Sequence, residues 1–143
     1  MEVLDLGCGS GILSAVALLL GAKSATAVDI DPNAANIARE NARKNGISEE
    51  NYRVFAGNVL TDEKLVKKIA DRQYDLVLAN IVADVIIALA PKIPPLLKED
   101  GVYITSGIIT ERGDEVKEAC KASGLLQTAE DRSGDWLVLD YVH

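Results

Sequence analysis

The chain is short of the residues that most side-chain chemistry relies on. Its 143 residues hold one histidine, the terminal His143, and two cysteines, Cys8 and Cys120, far apart in sequence. No metal-ligand spacing surrounds either thiol, so reduced cysteines are expected and no metal site is read. A nucleophilic Cys8 needs a histidine partner, and none is near it in the chain. Basic charge is also scarce: 15 Lys and Arg stand against 22 Asp and Glu, a net charge of -7. A general nucleic-acid binder needs clustered cations, so direct nucleic-acid binding is not expected, whereas a basic protein partner is compatible. Long hydrophobic runs are missing too. The longest, Ile12 to Leu20, is too short to span a bilayer and follows no positively charged leader, so the reading is cytoplasmic with no membrane partner. No repeat, low-complexity segment or linker divides the chain, and its length suits one domain.

What is present is concentrated at the start. Val3, Leu4 and Leu6 read as a strand buried on both faces. It runs into Gly7-Cys8-Gly9-Ser10-Gly11, where alternate glycines permit positive φ and close approach of backbone to a ligand, with Ser10 as the expected helix cap. Such a turn serves several ligands. A dinucleotide loop places its third glycine at position 12, where Ile12 stands. A triphosphate loop ends in Gly-Lys-Ser/Thr, and no lysine occurs before Lys23. Asp5, two residues before Gly7-x-Gly9-x-Gly11, completes an arrangement that resembles the nucleotide-binding loop of class I S-adenosylmethionine-dependent methyltransferases.

Downstream the pattern alternates. Residues 11 to 20 are apolar nearly all round, which predicts a largely buried helix ended by Gly21. Strand 25–28 leads to Asp29-Ile30-Asp31-Pro32, with Asp31 as cap and Pro32 at the first helical position. Ala34, Ala35, Ile37, Ala38 and Ala42 form the inner stripe of that helix. Asp29 lies about twenty residues beyond the loop, at the carboxyl end of the neighbouring strand, where a carboxylate accepts both hydroxyls of a ribose. Ile30 beside it offers an apolar surface to adenine. Strand 52–55, an amphipathic helix over 62–71 and strand 74–79 follow. Asn80 ends that strand in the crevice where open α/β sheets bind ligands, and it is the leading candidate to position a methyl acceptor. Helix 82–90 is divided by Pro91, Pro94 and Pro95. A turn at Lys98 to Gly101, strand 102–106, helix 111–123 and an antiparallel pair, 125–131 with 136–142, complete the chain. Trp136 reads as packed.

The segments 5–14, 28–32, 79–83 and 106–108 together are similar to the catalytic domain of the ribosomal protein L11 methyltransferases (PrmA family), over nearly the whole chain. That resemblance implies a Rossmann-like, doubly wound, mostly parallel seven-stranded sheet with an antiparallel last strand. It implies an enzyme that moves methyl groups from S-adenosylmethionine to amines of a basic ribosomal protein. Asp5, Gly7, Gly9, Gly11, Asp29, Ile30 and Asn80 fall on its cofactor-contacting segments. The turn at Asn58 and Val59 corresponds to the adenine contact, with Asn58 where the family commonly has Asp. Residues 1–143 would form the cofactor-binding catalytic domain. The family's amino-terminal docking domain is not expected within it, since Met1 opens directly on the first strand. One sheet face is then expected to be uncovered and available for self-association. The alternatives are a non-catalytic cofactor-binding fragment, a methyltransferase acting on RNA or a small molecule, and, more remotely, a dinucleotide oxidoreductase.

Overall fold

The computed structural model describes residues 1–143 as alternating strands and helices. In chain order these are β1 (Glu2–Leu6), α1 (Ile12–Leu19), β2 (Ser24–Asp29), α2 (Pro32–Lys44), β3 (Tyr52–Ala56), α3 (Glu63–Ile69) and β4 (Tyr74–Asn80). They continue with α4 (Ala83–Leu89), β5 (Leu97–Ile109), α5 (Gly113–Ala122), β6 (Leu126–Ser133) and β7 (Trp136–Val142). All seven strands join one sheet in the order β3-β2-β1-β4-β5-β7-β6. Pairings among β1 to β5 are parallel, and β7 runs antiparallel to both β5 and β6. The strand order reverses around β1, which lies between β2 and β4, so a crevice opens at the carboxyl ends of those strands. This is the expected doubly wound sheet. No helix is long and apolar enough to cross a membrane.

Local chemistry accounts for most boundaries. Asp31 caps α2 by accepting from the Asn33 N–H at 2.9 Å, with Pro32 following it. Gly46 then leaves the helix at φ 71°. Asp62 caps α3 in the same way through the Leu65 N–H. The prolines after α4 are taken up in two 3-10 turns, Ala90–Lys92 and Pro94–Leu96. Two layers cover the sheet. Leu65 and Ile69 of α3, Ile86 and Leu89 of α4, and Val116 and Cys120 of α5 share the larger core, whereas Ala35, Ala38 and Ala42 of α2 belong to the smaller core on the opposite face.

Five expectations need correction. α1 is not largely buried: only Ser14 and Ala15 are, while Ile12, Leu13, Val16 and Leu19 face outward because nothing packs on that side. Ser10 does not cap α1; Gly11 occupies the cap position at φ 80° and no side chain bonds there. Ile37 lies about 100° around α2 from Ala38 and is exposed. Trp136 is 54% exposed rather than packed, since its side of β7 carries no helix. Lys98 to Gly101 fall inside β5, where the pairing with β4 shifts register between Tyr74 and Leu76.

Candidate functional site

A cleft of about 330 Å³ opens where β1, β2 and β4 end. Gly7, Asp29, Ile30, Asn58, Val59 and Asn80 line it, six of the positions singled out in the sequence. Asp5, Gly9 and Gly11 do not line it. A second hollow, about 290 Å³, lies between α2 and the start of β3 and holds none of these residues.

The three loop glycines share positive φ but have different neighbours. A Cβ on Gly7 would meet Ile81 Cγ2 at 2.3 Å, so Gly7 lets the glycine-loop backbone lie against the β4–α4 connection. A Cβ on Gly11 would strike Ala38 Cβ and the Tyr52 hydroxyl, both at 2.8 Å, so Gly11 serves packing of the loop on α2. Gly9 alone has open space around it. The loop is held to β2 by the Gly7 and Cys8 N–H groups, which donate to the Val28 carbonyl at 2.8 and 3.0 Å.

Asp29 completes that attachment. One of its oxygens accepts from the Gly9 N–H at 2.9 Å and the other from the Asp31 N–H at 3.0 Å. Each carboxylate oxygen retains a lone pair. The residue therefore ties the glycine loop to the start of α2 and still faces the cleft. Asn58 similarly accepts from the Leu60 N–H at 3.0 Å, an Asx turn that leaves its NH₂ group and one lone pair free. Asn80 ends β4 opposite Ser106 of β5 and is exposed at the mouth.

Beneath the loop, Asp5 is 1% exposed with neither carboxylate oxygen hydrogen-bonded. Burial pushes its pKa up to about 6; nearby Ser14 opposes that shift, although its hydroxyl is engaged by the Gly11 carbonyl and Tyr52. Burial, reinforced by Asp5 and Asp29, pushes the Cys8 thiol up to about 12, which leaves it protonated and inert. No group of three or more His, Cys, Asp or Glu is placed to hold a metal ion.

Sequence reasoning missed Leu6, Val28, Ile81, Val85 and Leu89 as cleft-lining residues. The signal was available: Leu6, Val28 and Ile81 sit one residue from positions already chosen, and Val85 and Leu89 are four apart on one helix face. The arrangement fits an adenosyl ligand. It offers two spare carboxylate lone pairs, an apolar lining, and a volume within the range of small-molecule sites.

A sheet of this order, with a glycine loop after β1, an acid ending β2 and an asparagine ending β4, defines a class I S-adenosylmethionine-dependent methyltransferase fold. The family model for ribosomal protein L11 methyltransferase (PrmA) matches residues 1–143, and the chain belongs to that family. It is 48% identical over 135 residues to the ribosomal protein L11 methyltransferase of Agathobacter rectalis, covering 94% of this chain and 42% of that one. The corresponding protein of Ruminiclostridium cellulolyticum is 45% identical over 139 residues, covering 96% and 42%. Among solved structures, a ribosomal protein L11 methylase from Lactobacillus delbrueckii subsp. bulgaricus superposes with a TM-score of 0.88 at 34% identity, covering 99% of this chain and 69% of that one. A TehB-like methyltransferase from Corynebacterium glutamicum, at 19% identity and a TM-score of 0.76 over 99% and 79%, shares the fold. The chain thus spans less than half the length of the relatives it matches in sequence.

Proposed function

We propose that this domain binds S-adenosylmethionine in the β1-β2-β4 cleft and directs its methyl group to amines of a ribosomal protein of the L11 kind, in the cytoplasm. The observation that carries the reading is the single cleft shared by Gly7, Asp29, Ile30, Asn58, Val59 and Asn80. Asp29 accepts the ribose hydroxyls on the lone pairs left by its two backbone bonds. Ile30, 67% exposed beside it, covers one face of the adenine, and Asn58 and Val59 border the base. When bound, the cofactor supplies an electrophilic methyl that an amine takes by direct displacement, so the protein needs no nucleophile. Asn80 accepts a hydrogen bond from the incoming amine and holds it in line, which is catalysis by orientation. A lysine acceptor first gives its proton to solvent, because an ammonium has no lone pair.

Calorimetric titration of the chain with S-adenosylmethionine and with NAD is the direct test. Binding of the first and not the second is expected, and the reverse overturns the reading. Asp29→Ala is expected to weaken binding by about 1 kcal/mol or more, roughly fivefold, through lost hydrogen bonds and a loosened Gly9 anchor. Equal affinity in variant and parent removes that role.

The coverage of only 42% of its relatives supports a second reading, a domain that holds cofactor but modifies nothing by itself. Labelled cofactor incubated with ribosomal protein L11 separates the two, with a full-length relative assayed alongside. The reading also includes self-association through the uncovered face of the sheet.

A further inference from the structure

Gly107 occupies a position that the scheme above leaves unused. β5 pairs with β7 at Thr105–Leu139 and again at Ile108–Leu137. Between those pairs β5 carries two residues, Ser106 and Gly107, against the single Val138, which makes a β-bulge. Bulges beside a site re-aim the chain and its side chains. Here the bulge includes Ser106, the residue paired with Asn80. Gly107 has φ 79°, and a Cβ built on it would lie 2.7 Å from Asn80 Oδ1 and 3.3 Å from the Ile81 carbonyl oxygen. The missing side chain at 107 is the space into which the Asn80 carboxamide fits. No hydrogen bond within the chain ties that carboxamide down, and its oxygen lies against the open side of Gly107. From the other side, Gly7 packs against Ile81. The Asn80–Ile81 segment is therefore clasped between two glycines, one in the cofactor loop and one in the bulge.

We propose that Gly107 is a positioning residue: by leaving room for the Asn80 carboxamide, it sets the angle at which that group meets the acceptor amine. This rests on the reading of Asn80 as the amine's partner. A methyl at 107 would meet first the Asn80 carboxamide and then the Ile81 backbone, with Asp29, Ile30 and the glycine loop not among its nearest neighbours, so methyl transfer should suffer more than cofactor binding.

The test compares Gly107→Ala with Gly134→Ala in the full-length protein. Gly134 also has positive φ, 59°, but nothing lies within 4 Å of its would-be Cβ, so it reports backbone strain without collision. Gly107→Ala is expected to slow methyl transfer roughly 10-fold to 100-fold, with the S-adenosylmethionine dissociation constant within about twofold of the parent. Gly134→Ala should change neither. In an Asn80→Ala background, Gly107→Ala should slow transfer no further, and the Asn80 side-chain amide resonances should move in Gly107→Ala but not in Gly134→Ala. Should Gly107→Ala prove too unstable to assay, its loss in melting temperature must be smaller in the Asn80→Ala background, where the collision is gone. Unchanged transfer in Gly107→Ala, or equal slowing in both backgrounds, overturns the inference and leaves the reading of Asn80 intact. Unchanged transfer in Asn80→Ala alone overturns both.

Discussion

Asp5 is kept at the foot of the glycine loop at a cost to stability. Its pKa is raised by burial from the ordinary 3.8 to about 6, so the folded state binds a proton more tightly than the unfolded chain between those values. The contribution of Asp5 to stability is therefore fully present below about pH 4, is lost as pH rises through 6, and above that is lower by on the order of 3 kcal/mol. Asp5→Asn removes the charge at nearly constant shape. It is expected to stabilise the protein by on the order of 1–3 kcal/mol at pH 7.5, less whatever its own unpaired NH₂ costs, with the gap narrowing toward pH 4. Urea melts of both proteins across that range decide it; a gap independent of pH would show that the carboxylate is not the source. The acid before the glycines was legible in the sequence because a glycine turn and its preceding strand are local patterns. The separate tasks of Gly7, Gly9 and Gly11 were not, because they depend on Ile81, Ala38 and Tyr52, partners 27 to 74 residues away. The bond from the Gly9 N–H to Asp29 was hidden for the same reason, since it comes from a different element 20 residues away.

Elements with local start and stop chemistry were legible almost to the residue. α2 begins at Pro32 behind its Asp31 cap, and β7 spans Trp136–Val142, because capping residues and alternation act within a few positions. β5 was only partly legible. Its expected span, 102–106, is bounded by Gly101 and Gly107, which look like breaks, yet pairing with β4 and β7 carries the strand across both. Neighbouring strands, not local propensity, decide that extent. The interior of β5 also holds a polar group that alternation cannot reveal. Tyr103 is fully buried, its ring 6.1 Å from that of Tyr141, and its hydroxyl has no hydrogen-bond partner in the protein. Burial accordingly raises its pKa. Tyr103→Phe keeps the ring packing and deletes the unpaired hydroxyl, so it is expected to raise stability by about 1 kcal/mol. The urea midpoint should rise at unchanged slope; a fall of similar size would mean that the hydroxyl is bound to water in solution.

The molecule as a whole is covered unevenly, and composition alone could not locate the gap. An apolar α1 says that something must pack on it, but the sheet satisfies only one side and leaves Val16 and Leu20 facing out, Leu20 at 83% exposure. On the same side of the sheet, Leu76 and Leu78 border the smaller core. Register carries their row across the sheet, since Leu76 pairs with Val102 and Leu78 with Ile104, and Val102 in turn pairs with Val142. Val138 and Trp136 extend this face along β7, and both are exposed. Asp140, opposite Ile104, and Asp131, opposite Val138 on β6, set acidic side chains into it. Contiguous apolar surface of this kind drives association. A second copy of the chain meeting it face to face would satisfy both at once through an isologous contact. Light scattering is therefore expected to show mass rising with concentration, and a hydrophobic dye should bind the dilute monomer and be displaced as association proceeds. Leu20→Glu removes one anchor from each copy, about 2 kcal/mol of apolar burial apiece, and should weaken association roughly 1,000-fold without lowering cofactor affinity, because Leu20 lies outside the cleft. Clean monomers at every concentration with no dye bound would mean that this surface does not drive association, and an association indifferent to Leu20→Glu would place the contact elsewhere.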